Sequence, residues 1–88
     1  MSTQQRPDDA QFEIARAEFG DRVRAARQAQ GKSLESLAEG SALHWSFVSR
    51  VERGQGNVTL RSLLRLAAAL EVDPGALVVG LGLTDERG

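Results

Sequence analysis

The sequence predicts an all-α fold, a compact bundle of five helices. Apolar residues recur at helical spacing in one segment after another. Between those segments stand residues that stop and restart helices: Gly31-Lys32-Ser33, Gly54, Thr59 and Asp73-Pro74. The one β-like run, Ala76-Leu77-Val78-Val79, finds no partner strand in the chain and is read as helix. Eighty-eight residues make one domain with a modest core.

The first seven residues are polar and end in Pro7, so residues 1–8 are expected to form a disordered tail. Asp8 and Asp9 can cap a helix after that proline. Phe12, Ala15, Phe19, Val23 and Ala26 then fall on a single helical stripe. Gly20 interrupts the stripe at a cost of about 1 kcal/mol relative to Ala. One continuous helix over 9–30 is favoured over a short arm abutting a second helix. Gly31 closes it in a left-handed conformation.

Ser33 is an N-cap for a helix over 34–39 carrying Leu34, Leu37 and Ala38. Ser36 stands where a reciprocal capping box would want Glu or Gln. Gly40, Ser41 and Ala42 make a turn, His44 caps the next helix, and residues 45–53 form it, ended by Gly54. Two short helices joined by so tight a break are a helix-turn-helix, spanning about 33–54. Val48, Val51 and Glu52 face inward on the second helix. Trp45, Ser46, Ser49, Arg50 and Arg53 face outward.

After a loop, Thr59 caps a fourth helix in which Leu60, Leu63, Leu64, Ala67 and Leu70 repeat at helical spacing. Asp73 as cap and Pro74 at the first position start a fifth, which Ala76 to Val79 carry until Gly80 and Gly82 break it. The domain is therefore placed at 9–79, with a C-terminal tail over 80–88 that is frayed from Thr84 onward.

Composition excludes much. With no cysteine there is no disulfide framework or thiolate metal site. A single histidine, His44, without carboxylates at ligand spacing argues against a metal centre. Gly54-x-Gly56 and Gly80-x-Gly82 lack the strand–helix context of a nucleotide loop. No enzyme, metal or cofactor is expected. The N-terminus has no apolar run like a secretory signal, and no apolar stretch nears the ~20 residues of a membrane span. A soluble, cytoplasmic protein is expected, and the Asn57-Val58-Thr59 sequon is a coincidence.

The net charge of −1 hides a division. Residues 21–70 hold eight basic and four acidic side chains, a local +4, while the two ends together carry −5. A basic middle between acidic ends can present one positive face in a near-neutral molecule. Mixed charge on solvated helices is the plainer reading of the same numbers.

One pattern runs through these residues: Arg24-x-x-Arg27-x-x-x-Gly31-x-Ser33-x-x-x-Leu37-Ala38, then Leu43, Val48-Ser49-Arg50-Val51-Glu52-Arg53-Gly54, Asn57, and Leu60-x-x-Leu63-Leu64-x-Leu66-Ala67-x-Ala69-Leu70-x-Val72. It resembles the XRE-type (Cro and phage-repressor-like) helix-turn-helix family over residues 19–79. The Val-Ser-Arg-Val-Glu-Arg-Gly run is also similar to restriction–modification controller proteins. The resemblance implies a repressor-like DNA-binding domain and a salt bridge between Arg27 and Glu52 that holds the recognition helix. Four positions depart from the family pattern: Ala42 replaces the turn glycine, Val58 a proline, Phe47 a tyrosine, and Trp45 a polar residue. An alanine at 42 must accept a left-handed backbone at about 1 kcal/mol or bend differently.

In such a motif the second helix enters the major groove. Arg50 is the leading residue for base readout, because its planar fork matches guanine O6 and N7. Ser46 and Ser49 can bond any base. His44 sits at the helix start, and Arg53 at its end suits phosphate. Ser33 with the amides of its helix and Asn57 with the nearby loop can hold further phosphates, though both are also ordinary cap and turn residues. Trp45 stands open between a contact to DNA and a contact to protein.

One short helix makes few base contacts, so a homodimer reading two half-sites about 34 Å apart is expected. Leu77, Val78, Leu81 and Leu83 are its interface candidates, helped by Phe12 and Ile14; the alternative for Leu77 and Val78 is closing the core, whereas too little chain follows Leu81 and Leu83 to bury them otherwise. No effector pocket is evident. The function expected is a sequence-specific transcriptional regulator on a palindromic operator in double-stranded DNA. The alternative is an antitoxin-like or adaptor module that uses Trp45 and Phe47 to bind a protein partner.

Overall fold

The first helix, α1, runs unbroken over Asp9–Ala29. The computed structural model describes residues 9–83; the expected tails at 1–8 and 84–88 and the Asp8 cap lie outside them. Gly31, at φ 68°, stops α1, with Gly31 N–H donating to Gln28 O at 3.0 Å and Lys32 N–H to Arg27 O at 3.1 Å. These bonds satisfy carbonyls that the helix end leaves open. Next come α2 (Leu34–Ser41) and α3 (Trp45–Glu52), the two arms of the helix-turn-helix, then α4 (Leu60–Leu70) and α5 (Pro74–Val78). No strand occurs among the described residues.

The caps are the ones the sequence signals. Ser33, His44 and Thr59 each take extended backbone and accept a hydrogen bond from an amide of the helix that follows. Such a side chain is worth about 1 kcal/mol over alanine. Asp73 differs: it holds the N-cap position of α5 without a side-chain cap bond, so Pro74 at the first turn sets that helix.

The core draws on every helix: Phe19 and Val23, Leu37 and Ala38, Val48 and Val51, Leu66, Ala67 and Leu70, and Leu77. Each fully buried large side chain contributes about 1.5–3 kcal/mol relative to exposure. α3 packs on α1 and α2, α2 on α4, and α5 closes against α4 and α1. Two side chains from the turn between α1 and α2 lock α4 in place: Gln30 Nε2 donates to Leu70 O and Lys32 Nζ to Ala69 O at 2.7 Å, capping its terminal carbonyls.

Gly20 is buried where α1 crosses α3. A Cβ there would collide with the Val51 carbonyl oxygen. The residue that looks like a weak link in a helical stripe is thus the point of closest approach between two helices.

Several sequence expectations are corrected. Gly40 and Ser41 are the last turn of α2, not part of the turn. The Ser41 hydroxyl donates to Leu37 O at 2.7 Å, which lets a buried serine stay helical. Only Ala42 is left-handed, at φ 58°, and Glu71 ends α4 in the same conformation without a glycine to announce it. On α4, Leu64 lies about 110° round from the line of Leu63, Leu66, Ala67 and Leu70, so it and Leu60 are exposed and Leu66 takes the core position. α5 ends at Val78, one residue early. Leu77, offered as an interface residue, is 3% exposed, because the inward face of so short a helix holds one large side chain. It closes the core.

Candidate nucleic-acid interface

Helical geometry divides α3 into two faces. Val48, Val51 and Glu52 are buried, while Trp45, Ser46 and Arg50 are exposed and Ser49 is half-buried. Arg53 is the exposed C-cap residue, and its NH1 donates to Ser49 Oγ at 3.2 Å along the same face. Arg50 makes no side-chain hydrogen bond or ion pair among the described residues, so its guanidinium projects free. At the helix start, Ser46 N–H donates to His44 Nδ1 at 3.3 Å, and Ser46 Oγ lies 2.9 Å from the same nitrogen. His44 and Ser46 therefore form one polar unit. Trp45 beside them is 54% exposed.

The inner face is held by charge. Glu52 is 4% exposed, and Arg27 donates to both its oxygens, from Nε at 2.7 Å and NH2 at 2.9 Å. Arg27 NH1 donates onward to Lys32 O at 2.9 Å, so the same guanidinium ties α1, α3 and the turn before α2. The hydrogen bonds to Glu52 raise the Arg27 pKa above the ordinary arginine value; burial works against this, and the charges of Glu52 and Glu35 add to it. Arg24 is a second tie. Its NH2 donates to the Glu52 backbone oxygen at 3.0 Å, and its Nε stands 3.6 Å from the carboxylate. The signal was present, since positions 24 and 27 share one helix face.

Ser33 Oγ accepts from Ser36 N–H at 3.0 Å at the exposed start of α2. Asn57, exposed in the loop after α3, accepts through Oδ1 from Arg16 NH1 at 3.3 Å. Arg16 also reaches Gln55 O at 3.5 Å and lies over the Phe12 ring, 5.4 Å from its centroid. The Asn57 loop is thus joined to the first half of α1, a contact with no sequence signal because 41 residues separate the two. Two further close approaches shape this loop: Gly54, at φ 77°, sits against Ala17, and Gly56 against Val51 and Phe47.

Val78, the last residue of α5, is exposed, and beyond the helix Leu83 is exposed and Leu81 half-buried against the core. Phe12 and Ile14 are exposed on α1. Arg22 NH1 donates to Val79 O at 2.7 Å, fixing the end of α5 to α1. Among the described residues no group of His, Asp or Glu is arranged to hold a metal, and no helix is long and apolar enough to cross a membrane.

Residues 18–86 match the family described as a helix-turn-helix domain. The chain is 40% identical over 70 residues to control protein C.SmaI of Serratia marcescens, covering 80% of this chain and 83% of that one. Its fold is similar to that of the restriction–modification controller protein C.AhdI from Aeromonas hydrophila, with a TM-score of 0.72 and 47% identity over 73% of this chain and 97% of that one. It is also similar to SinR, the master regulator for biofilm formation, solved in complex with DNA: TM-score 0.64 and 33% identity over 67% of this chain and 95% of that one.

Proposed function

The chain belongs to the helix-turn-helix family that includes the restriction–modification controller proteins, and from that premise we propose that it is a DNA-binding transcriptional regulator that reads a palindromic operator as a homodimer. The observation that carries this reading is Arg50: a guanidinium with no partner among the described residues, on the outer face of a helix whose inner face is clamped by Arg27 and Glu52. A free fork on a fixed rod is what bidentate recognition of guanine requires.

In the proposed complex α3 lies in the major groove, with Arg50 on a base and Ser46 and Ser49 on neighbouring edges. His44 and Arg53 flank them at either end of the helix. The amide end of α2 at Ser33 and the Asn57 loop take backbone phosphates, which orient the protein without specifying sequence. Val78, Leu81 and Leu83 are the residues proposed to join two copies, setting the half-sites about 34 Å apart. Regulation by occupancy near a promoter in the cytoplasm follows, with no catalytic step.

Selection from random double-stranded oligonucleotides, followed by gel-shift with wild type and Arg50→Ala, tests the proposal. An enriched sequence with two-fold symmetry, weakened by the substitution, supports it. Failure to enrich any sequence sinks it. Exposed Trp45 favours a second reading, an antitoxin-like or adaptor module whose partner is a protein. Trp45→Ala would then abolish partner binding while leaving any DNA affinity intact.

A further inference from the structure

We propose that Arg16, on the first half of α1, is a positioning residue for the phosphate contact at Asn57. Its NH1 donates to Asn57 Oδ1 at 3.3 Å and to Gln55 O at 3.5 Å. The neighbouring residue, Ala17, lies against the same loop: a Cβ added to Gly54 would stand 3.0 Å from Ala17 Cα. The loop is also tied back to α3, because Gln55 N–H donates to Arg50 O at 2.9 Å. One turn of α1 therefore braces the segment that leads out of α3.

The bonds from Arg16 are long, and what they decide is orientation. An asparagine amide carries an accepting oxygen on one side and a donating nitrogen on the other. A guanidinium has donors only, so the oxygen must face it; the reverse would set N–H against N–H beside a positive charge. Among the described residues no carboxylate lies within ion-pair distance of Arg16, so nothing neutralises that demand. The Asn57 nitrogen is left facing away from Arg16 on an exposed loop, with no partner among the described residues. An ionised phosphate only accepts, so an outward nitrogen can hold it and an outward oxygen would repel it. Val58 follows Asn57, so no proline ring fixes the backbone here, and the brace comes from outside the loop. Arg16 Cζ lies 5.4 Å from the centroid of the Phe12 ring, which restrains its swing. The assignment rests on the reading of the chain as a DNA-binding regulator.

The test is a double-variant cycle in the full chain: wild type, Arg16→Met, Asn57→Ala and the two combined, titrated with selected and random duplex at several salt concentrations. Each single substitution should weaken both DNAs by a similar factor, roughly three- to tenfold. The combined variant should be no weaker than either single. Arg16→Lys, again a donor without an acceptor, should recover part of the loss. In Arg16→Met the slope of log affinity against log salt should stay at the wild-type value, because Arg16 acts through Asn57 and not on a phosphate. In wild type, the NMR signals of the Asn57 side-chain NH2 should move on DNA binding, a readout independent of how well any variant folds. Losses that add, a slope lower by about one, or unmoved NH2 signals overturn the assignment. Wild type that binds no DNA removes this assignment together with the regulator reading; wild type that binds while the losses add removes this one alone.

Discussion

Arg27 grips both carboxylate oxygens of Glu52, at 2.7 and 2.9 Å, across the crossing of α1 and α3. The orientation of α3 is therefore tied to a residue outside the helix-turn-helix.

Breaking a buried pair by removing one partner costs about 3–5 kcal/mol, because the other charge is left without compensation. Here Arg24 stands 3.6 Å from the same carboxylate and can take over part of the task. Arg27→Met should accordingly destabilise by less than that range, and Arg24→Met by less than about 1 kcal/mol, given its half-exposed side chain. The double variant should lose more than the two singles together. Urea denaturation of all four proteins measures this coupling, and strict additivity would show that Arg24 is no substitute.

Gly20→Ala should destabilise despite alanine's higher helix propensity. The propensity gain is about 1 kcal/mol, but the new methyl must push α1 off the Val51 carbonyl, and overpacking against backbone costs about 1–3 kcal/mol. A net loss near 1–2 kcal/mol is expected in thermal or chemical unfolding. A more stable variant would mean that the crossing is looser than described.

Ala42→Gly should have the opposite sign. Ala42 sits at φ 58°, where a Cβ costs about 1 kcal/mol that glycine avoids. Part of the gain is returned through the greater freedom of glycine in the unfolded chain, so a rise of about 0.5 kcal/mol in unfolding free energy is expected. Unchanged or lower stability would show that this turn carries no strain.

The contrast between these two sites explains what the sequence made legible. The helices, their caps at Ser33, His44 and Thr59, and the inward side of α3 follow from spacing and from residues whose local chemistry has one good use. Gly20 was read as a cost because its benefit lies in a helix that starts 25 residues later. Leu60 and Leu64 look like core by periodicity, yet they lie round the edge of the stripe on α4, which only the packing of α2 and α5 decides. Arg16 gave no signal at all, since its partners Gln55 and Asn57 are distant in the chain. Local rules carry local structure, and close approaches between elements stay hidden until the elements are assembled.

The exposed arginines at the outer face and end of α3 should separate by what they lose. Among the described residues Arg50 has no side-chain partner, whereas Arg53 is bonded back to Ser49 at 3.2 Å near the helix end. If Arg50 meets a base, Arg50→Ala should weaken each half-site by about 1–3 kcal/mol and relax the preference at one base position. It should do so mainly on the selected operator, with little change on random DNA. If Arg53 meets phosphate, Arg53→Ala should weaken operator and random DNA alike and lower the slope of log affinity against log salt by about one per contact. Titrations at several salt concentrations on both DNAs distinguish the two roles. Equal losses on both DNAs for Arg50→Ala would remove it from base readout and leave sequence discrimination to Ser46, Ser49 and Trp45.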